Sequence, residues 1–114
     1  MKVLVCGGRD FNDYKLLNKT LNRVHKHLKI SLLIEGGAKG ADSLAATWAK
    51  ENNIPIKTFK ADWNKFKKSA GPIRNQQMIN GGLPELVVAF GGGSGTADMI
   101  RRAKKANIVV MEII

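Results

Sequence analysis

The residues best suited to chemistry in this chain are glycines with hydroxyl, cationic and acidic side chains set between them, in three clusters. Gly91-Gly92-Gly93-Ser94-Gly95-Thr96 is the densest, Gly36-Gly37-Ala38-Lys39-Gly40-Ala41-Asp42 the longest, and Gly7-Gly8-Arg9-Asp10 the first along the chain. Each follows a short apolar run and precedes a segment with helical periodicity. Glycine lets a backbone approach an anion closely and adopt positive φ. A helix that starts there adds unpaired N–H groups and the positive end of its dipole. The chemistry this favours is phosphate binding, with Ser94 and Thr96 as hydroxyl donors and Lys39 as a neutralising cation. The last cluster lacks the Gly-Lys-Ser/Thr ending of a P-loop. Its four glycines in five positions still exceed what a strand–helix turn requires.

Other polar residues near these clusters admit two readings each. Arg9 is either a bidentate phosphate clamp or the partner of Asp10 in an ion pair. Asp42 either bonds a ribose hydroxyl or serves as an acid favoured at a helix N-terminus. Arg74 and Asn75, after Gly71-Pro72, either close a pocket from the side or brace the loop from Ala61 to Ala70. Trp63 covers a ligand or anchors that loop. Cys6, inside an apolar run, reads as a small buried side chain. His25 and His27 read as solvated helix histidines, and Met78, Met99 and Met111 as core fillers. No metal cage, cofactor motif or nucleophile–base pair is recognisable.

The elements that must position these residues follow from periodicity. Val3–Cys6, Leu32–Ile34, Ile54–Phe59, Leu86–Phe90 and Ile108–Met111 read as strands, the third at an edge and the fourth central. Tyr14, Leu17, Leu21, Val24 and Leu28 share one helical stripe, with Asn12 or Asp13 as its cap. Ala41, Leu44, Ala45, Trp48 and Ala49 mark a second helix, ended by Asn52-Asn53. A third opens at Gly71-Pro72 and stops at Gly81-Gly82, and a fourth runs from Thr96 to Ala106. Strands and helices alternate with short connections, and right-handed crossovers then force a mostly parallel sheet. The expected fold is a three-layer, Rossmann-like α/β domain over residues 1–114, with five strands in the order 3-2-1-4-5. Its loops emerge at the carboxyl edge, where open α/β sheets bind ligands.

Composition narrows the function classes. Nineteen Lys and Arg against nine Asp and Glu give a net charge of +10, a field that concentrates anions. Lys57, Lys60, Lys65, Lys67 and Lys68 form one basic concentration, and Arg101, Arg102, Lys104 and Lys105 another. A single cysteine excludes an internal disulfide framework. No apolar run approaches the roughly 18 residues of a membrane helix. Met1-Lys2-Val3-Leu4-Val5 enters a strand without a signal-peptide pattern, so a cytoplasmic protein without a membrane partner is expected.

Five ordered motifs resemble the YspA/cpYpsA-related branch of the SLOG superfamily. They are Cys6 to Phe11, Glu35 to Asp42, Ala61-Asp62-Trp63, Ala70 to Met78, and Ala89 to Met99. The resemblance implies a Rossmann-like domain that binds a nucleotide or nucleotide-derived ligand, and relatives that commonly pair as homodimers. Phosphoribohydrolases of the superfamily carry Pro-Gly-Gly-x-Gly-Thr-x-x-Glu. Here Gly92, Gly93, Gly95 and Thr96 match, while Gly91 replaces the proline and Met99 the glutamate. Glycosidic hydrolysis wants a carboxylate beside the reacting carbon, which Asp98, Asp42 or Asp10 would have to supply. The expected ligand contacts are Gly7, Gly8, Arg9, Asp10, Gly36, Gly37, Lys39, Gly40, Asp42, Arg74, Asn75 and Gly91 to Thr96. If the chain is an enzyme, Asp42, Arg74 and Asp98 are the catalytic candidates. A relative that processes DNA suggests a rival ligand, single-stranded nucleic acid held by the basic loop around Lys65 to Lys68.

Overall fold

Val3-Leu4-Val5-Cys6 offers no polar side chain to either face of a strand, so both faces have to be covered. In the structure, a computed structural model that describes residues 1–113, they are. Strand β1 (Lys2–Cys6) sends Val3 and Val5 into one core and Leu4 and Cys6 into the other, as the two-residue repeat of a strand requires. Helices α1 (Tyr14–Leu28) and α2 (Ala41–Glu51) supply Leu17, Leu21, Ala45 and Trp48 to the first core. Helices α4 (Ala70–Gly82) and α5 (Ser94–Lys105) supply Met78, Ile79, Met99 and Ala103 to the second.

Between these layers lies a parallel sheet of β1, β2 (Leu32–Glu35), β3 (Ile56–Thr58), β4 (Leu86–Ala89) and β5 (Val109–Glu112). Its order is β3-β2-β1-β4-β5, every neighbouring pair parallel. Register places Cys6 beside Ala89 and Leu4 beside Ile34. Successive strands are laid down outward from β1 on one side and then outward from β4 on the other, so the order reverses between those two. The fold is α/β and Rossmann-like, as the periodicity implies.

Local departures have local causes. Strand β3 is shorter than the expected Ile54–Phe59: Ile54 packs into the first core, and Ile56–Thr58 pair with β2. The basic loop contains helix α3 (Trp63–Phe66), whose first turn is capped by Asp62 accepting from the Lys65 amide at 3.1 Å, followed by a 3₁₀ turn over Lys67–Ser69. Helix α4 starts at Ala70 and takes in Gly81 and Gly82; its stop is Leu83, left-handed at φ 52°. Helix α5 starts at Ser94, ahead of Thr96.

Asp13, not Asn12, caps α1, accepting from the Leu16 amide at 3.0 Å. His25 is not simply solvated: its Nδ1 accepts from the Ile30 amide at 3.0 Å, and its ring stands edge-on to Trp48. Leu28 and Met111, expected on the apolar side, are exposed. Leu28 belongs to the last turn of α1, and Met111 to the edge strand β5.

Candidate functional site: a cationic crevice at the carboxyl edge

Three strand ends meet at Gly8. Its amide donates to the Gly91 carbonyl at 2.8 Å, and its own carbonyl accepts from the amides of Phe11 and Ala41 at 3.2 Å. One residue therefore ties the loop after β1 to the loop after β4 and to the start of α2. A Cβ at this position would lie 2.9 Å from the Gly91 carbonyl oxygen and 3.1 Å from the Gly92 Cα, backbone atoms that cannot rotate away. Gly40 completes the junction with φ 78°, and a Cβ there would come within 2.6 Å of the Arg9 carbonyl oxygen. Side-chain-free backbone is a steric necessity here.

The loop after β2 keeps its own amides occupied. Asp42 Oδ2 accepts from Gly36 and Ala38, each at 3.2 Å, and Glu35 Oε1 accepts from Gly37 at 2.7 Å. Glu35 Oε2 also accepts from the Thr58 hydroxyl. Gly36 and Gly37 thus shape the loop rather than presenting free donors. Of the two readings of Asp42, its place in the first turn of α2 matches the acid at a helix N-terminus. The same side chain nevertheless lines the crevice that the three loops enclose.

That crevice has a volume of about 630 Å³. Gly7, Gly8 and Arg9 form one part of its wall and Gly93, Ser94, Gly95 and Thr96 another. Arg74, Asn75 and Asp98 close it from the side of α4 and α5. Asp10, Gly36, Gly37, Lys39, Gly40, Gly91 and Gly92 do not line it; Asp10 and Lys39 point their charge at solvent from exposed positions. Lys68 and Arg101 line it too, although the sequence reading left both in general basic patches. Arg101 follows Ser94 by seven residues, two helical turns, a spacing that marks it as a neighbour on the same face.

Donors converge on this space. Among the described residues no side chain caps α5, whose N-cap is Gly93, so the opening amides of that helix face the crevice with their dipole's positive end. Arg74 Nη1 donates to the Gly36 carbonyl at 2.6 Å and Nε to Asn75 Oδ1 at 3.1 Å, leaving Nη2 without a protein partner among the described residues. Burial pulls the Arg74 guanidinium below its ordinary pKa, more than Asp42 raises it, and the Arg9 charge adds to the lowering. Arg9 forms no ion pair with Asp10; its guanidinium carbon sits 5.3 Å from the centre of the Trp63 ring. Three cations on the wall, Arg9, Lys68 and Arg74, thus form no ion pair among the described residues.

The acids differ in how they are used. Asp98 is paired with Arg101 and with Arg102 at 2.8 Å, and accepts from Asn75 Nδ2 at 3.0 Å. Burial raises its pKa, but these hydrogen bonds and the two guanidinium charges outweigh burial and hold it below the ordinary carboxylate range. Asn75 Nδ2 also donates to the Gly95 carbonyl at 3.2 Å, which pins α4 to the first turn of α5. Asp42 is the opposite case. Burial, helped by Glu35, pushes it up to about 6 against the loop amides and Arg74. An acid that titrates near neutrality at a crevice wall can take or give a proton. Burial pushes the Cys6 thiol up to about 12, with Asp42 adding to it, so it stays a neutral wall atom.

The model of the YspA, cpYpsA-related SLOG family matches residues 1–66, more than half of the 114. The chain belongs to this family. Gene 61 protein of Mycobacterium phage D29 is 32% identical over 118 residues, covering 96% of this chain and 94% of that protein. The X-ray structure of DNA processing protein A (DprA) from Streptococcus pneumoniae superposes with a TM-score of 0.78 at 21% identity, over 99% of this chain. This SLOG chain spans 50% of the DprA chain, and the likeness is one of fold. Among the described residues no helix is long and apolar enough to cross a membrane.

Burial of Asp42 has a consequence for stability. Its folded pKa of about 6 lies above the value of 3.8 that the unfolded chain carries. The native state therefore holds this proton more tightly, and the stability it contributes is complete below about pH 4 and lost as pH rises through about 6. The shift corresponds to roughly 3 kcal/mol across that window. Asp42→Asn, which keeps an oxygen acceptor for the Gly36 and Ala38 amides, removes this slope. Urea unfolding from pH 4 to 7.5 should show the variant gaining on the native chain as pH rises; parallel curves would contradict the assignment.

Proposed function

We propose that this protein binds a nucleotide or nucleotide-derived phosphorylated ligand in the crevice, with a phosphate on the opening amides of α5. The observation that carries the reading is the uncapped start of α5 at Gly93–Thr96, open to a space also walled by Arg9 and Arg74. Backbone amides, a helix dipole and unpaired guanidinium groups all favour the same guest, a compact anion. The volume suits a nucleotide-sized molecule, since ligand sites commonly enclose about 300–1,000 Å³. Membership of the SLOG family supports a nucleotide-related ligand.

Asp42 is the best-placed group for acid–base work on that ligand, close to neutral in pKa and beside the Arg74 guanidinium. If bonds are broken here, the class of reaction is hydrolysis at an N-glycosidic or phosphate bond, with Asp42 handling the proton and Arg74 the developing negative charge. Asp98 serves by positioning, since its carboxylate is already held by Arg101, Arg102 and Asn75. Without turnover the same site acts as a sensor.

A second reading, single-stranded nucleic acid, is favoured by one feature. At Lys68 and Pro72 the crevice continues into a shallower groove of about 470 Å³ along α4, lined by Gln76, Gln77, Asn80 and Arg102. Exposed Lys68 lines both spaces, Lys65 and Lys67 are exposed in the same loop, and DprA, by its name, processes DNA. On this reading an oligonucleotide binds with an affinity that falls steeply as salt rises. Fluorescence anisotropy of a labelled single strand between low and moderate salt measures this, and weak binding at low salt removes the reading.

Gly95 offers a direct probe of the phosphate seat, because a Cβ there meets nothing within 4 Å. Gly95→Asp should fold at least as well as the native chain, since an acid in the first turn favours the helix by about 0.3–1 kcal/mol. Its carboxylate takes the place of the ligand anion. Calorimetric titration with a nucleotide panel is expected to show a loss of about tenfold or more in affinity, roughly 1.4 kcal/mol. Undiminished binding in a stable Gly95→Asp variant would contradict the proposal, and mass spectrometry of the incubated panel separates hydrolase from sensor.

A further inference from the structure

Among the Phe, Tyr and Trp side chains of the described residues Trp63 alone is exposed, at 46% of its surface, and it stands on the crevice wall. The other tryptophan, Trp48, is fully buried and donates its indole N–H to Asn22. An indole left in water forgoes a large apolar gain, and its place in this structure is not a core position. The ring is nevertheless held. Its far edge faces the start of α4, where a Cβ added at Gly71 would lie 3.5 Å from Trp63 Cη2. Asp62 fixes the turn below it, and the Arg9 guanidinium lies 5.3 Å from its centroid.

Two planar groups, one apolar and one cationic, therefore share the wall of a space that the start of α5 also lines. A phosphate or a sugar phosphate satisfies the amides and the cations but has nothing flat to lay on an indole. A nucleobase joined through ribose to phosphate satisfies both. We propose that Trp63, through the ring face that Arg9 does not cover, is the stacking platform for the base, and that it selects nucleoside phosphates over phosphorylated sugars. The inference rests on the phosphate seat of the preceding section and adds the second recognition element. Stacking of this kind tolerates any base because each has a π face, so it predicts a preference for nucleotides as a class.

The test is calorimetric titration of the full chain with AMP and with ribose 5-phosphate. The native protein should bind AMP about tenfold or more tightly than ribose 5-phosphate. Trp63→Leu keeps an apolar anchor for the loop but no π face; it should weaken AMP by about tenfold while changing ribose 5-phosphate by less than about twofold. Trp63→Phe should restore most of the AMP affinity. Equal binding of the two ligands by the native chain overturns the platform and leaves the phosphate seat standing. A parallel loss of both ligands in Trp63→Leu also overturns it, because that is what a purely anchoring indole would give. Failure of the native chain to bind either ligand removes the phosphate seat itself, and the platform with it.

Discussion

The contacts around Gly8 are the constraint on which the site depends. A parallel sheet brings its carboxyl-end loops to one edge, but it does not by itself make them touch. Here the Gly8 amide reaches the Gly91 carbonyl while the Gly8 carbonyl takes the Ala41 amide. The loop between β1 and α1, the start of α2 and the loop before α5 are thereby fixed to one another. Packing leaves no room for a side chain at Gly8 or Gly40, so the geometry is encoded in the absence of atoms. Everything the crevice presents, from Arg9 to the opening turn of α5, inherits its position from that junction.

A second consequence concerns charge. The acids at this edge are largely spent on the protein itself. Asp42 and Glu35 hold the amides of the second loop, and Asp98 holds Arg101, Arg102 and Asn75. Arg9 and Arg74 carry no ion pair among the described residues. The wall is therefore electropositive even though carboxylates sit in it, and the net charge of +10 extends the same sign over the surface. Anions gain both from the local donors and from the long-range field. Asp42, pushed up to about 6 by burial, is the exception.

Much of this arrangement was legible in the chain because it follows from repeats of two and of three to four residues. The alternation in Val3-Leu4-Val5-Cys6 encodes a strand covered on both faces, and the short connections then dictate the sheet order. That a helix follows the glycines after β4 was legible too, although it starts at Ser94 and not at Thr96. Helix α3 was not, since four residues cannot display a helical period. The separate fates of Asp42 and Asp98 depended on burial and on helix α4, which brings Arg74 near the first and Asn75 onto the second. Lys39 and Asp10 had the right chemistry at the right loops, yet their side chains face solvent, because a loop's direction decides which of its residues look inward. Lys68 reached the wall through a 3₁₀ turn that composition does not announce.

The central claim is that amides at the start of α5 receive a negatively charged ligand within a rim fixed by Gly8. The most direct measurement is an amide-resolved NMR titration of the native protein with a nucleotide. The account predicts that the largest and saturable shifts fall on Ser94, Gly95 and Thr96, with smaller ones at Gly8 and Arg9. Saturable binding whose shifts cluster elsewhere, with the start of α5 unmoved, would contradict it.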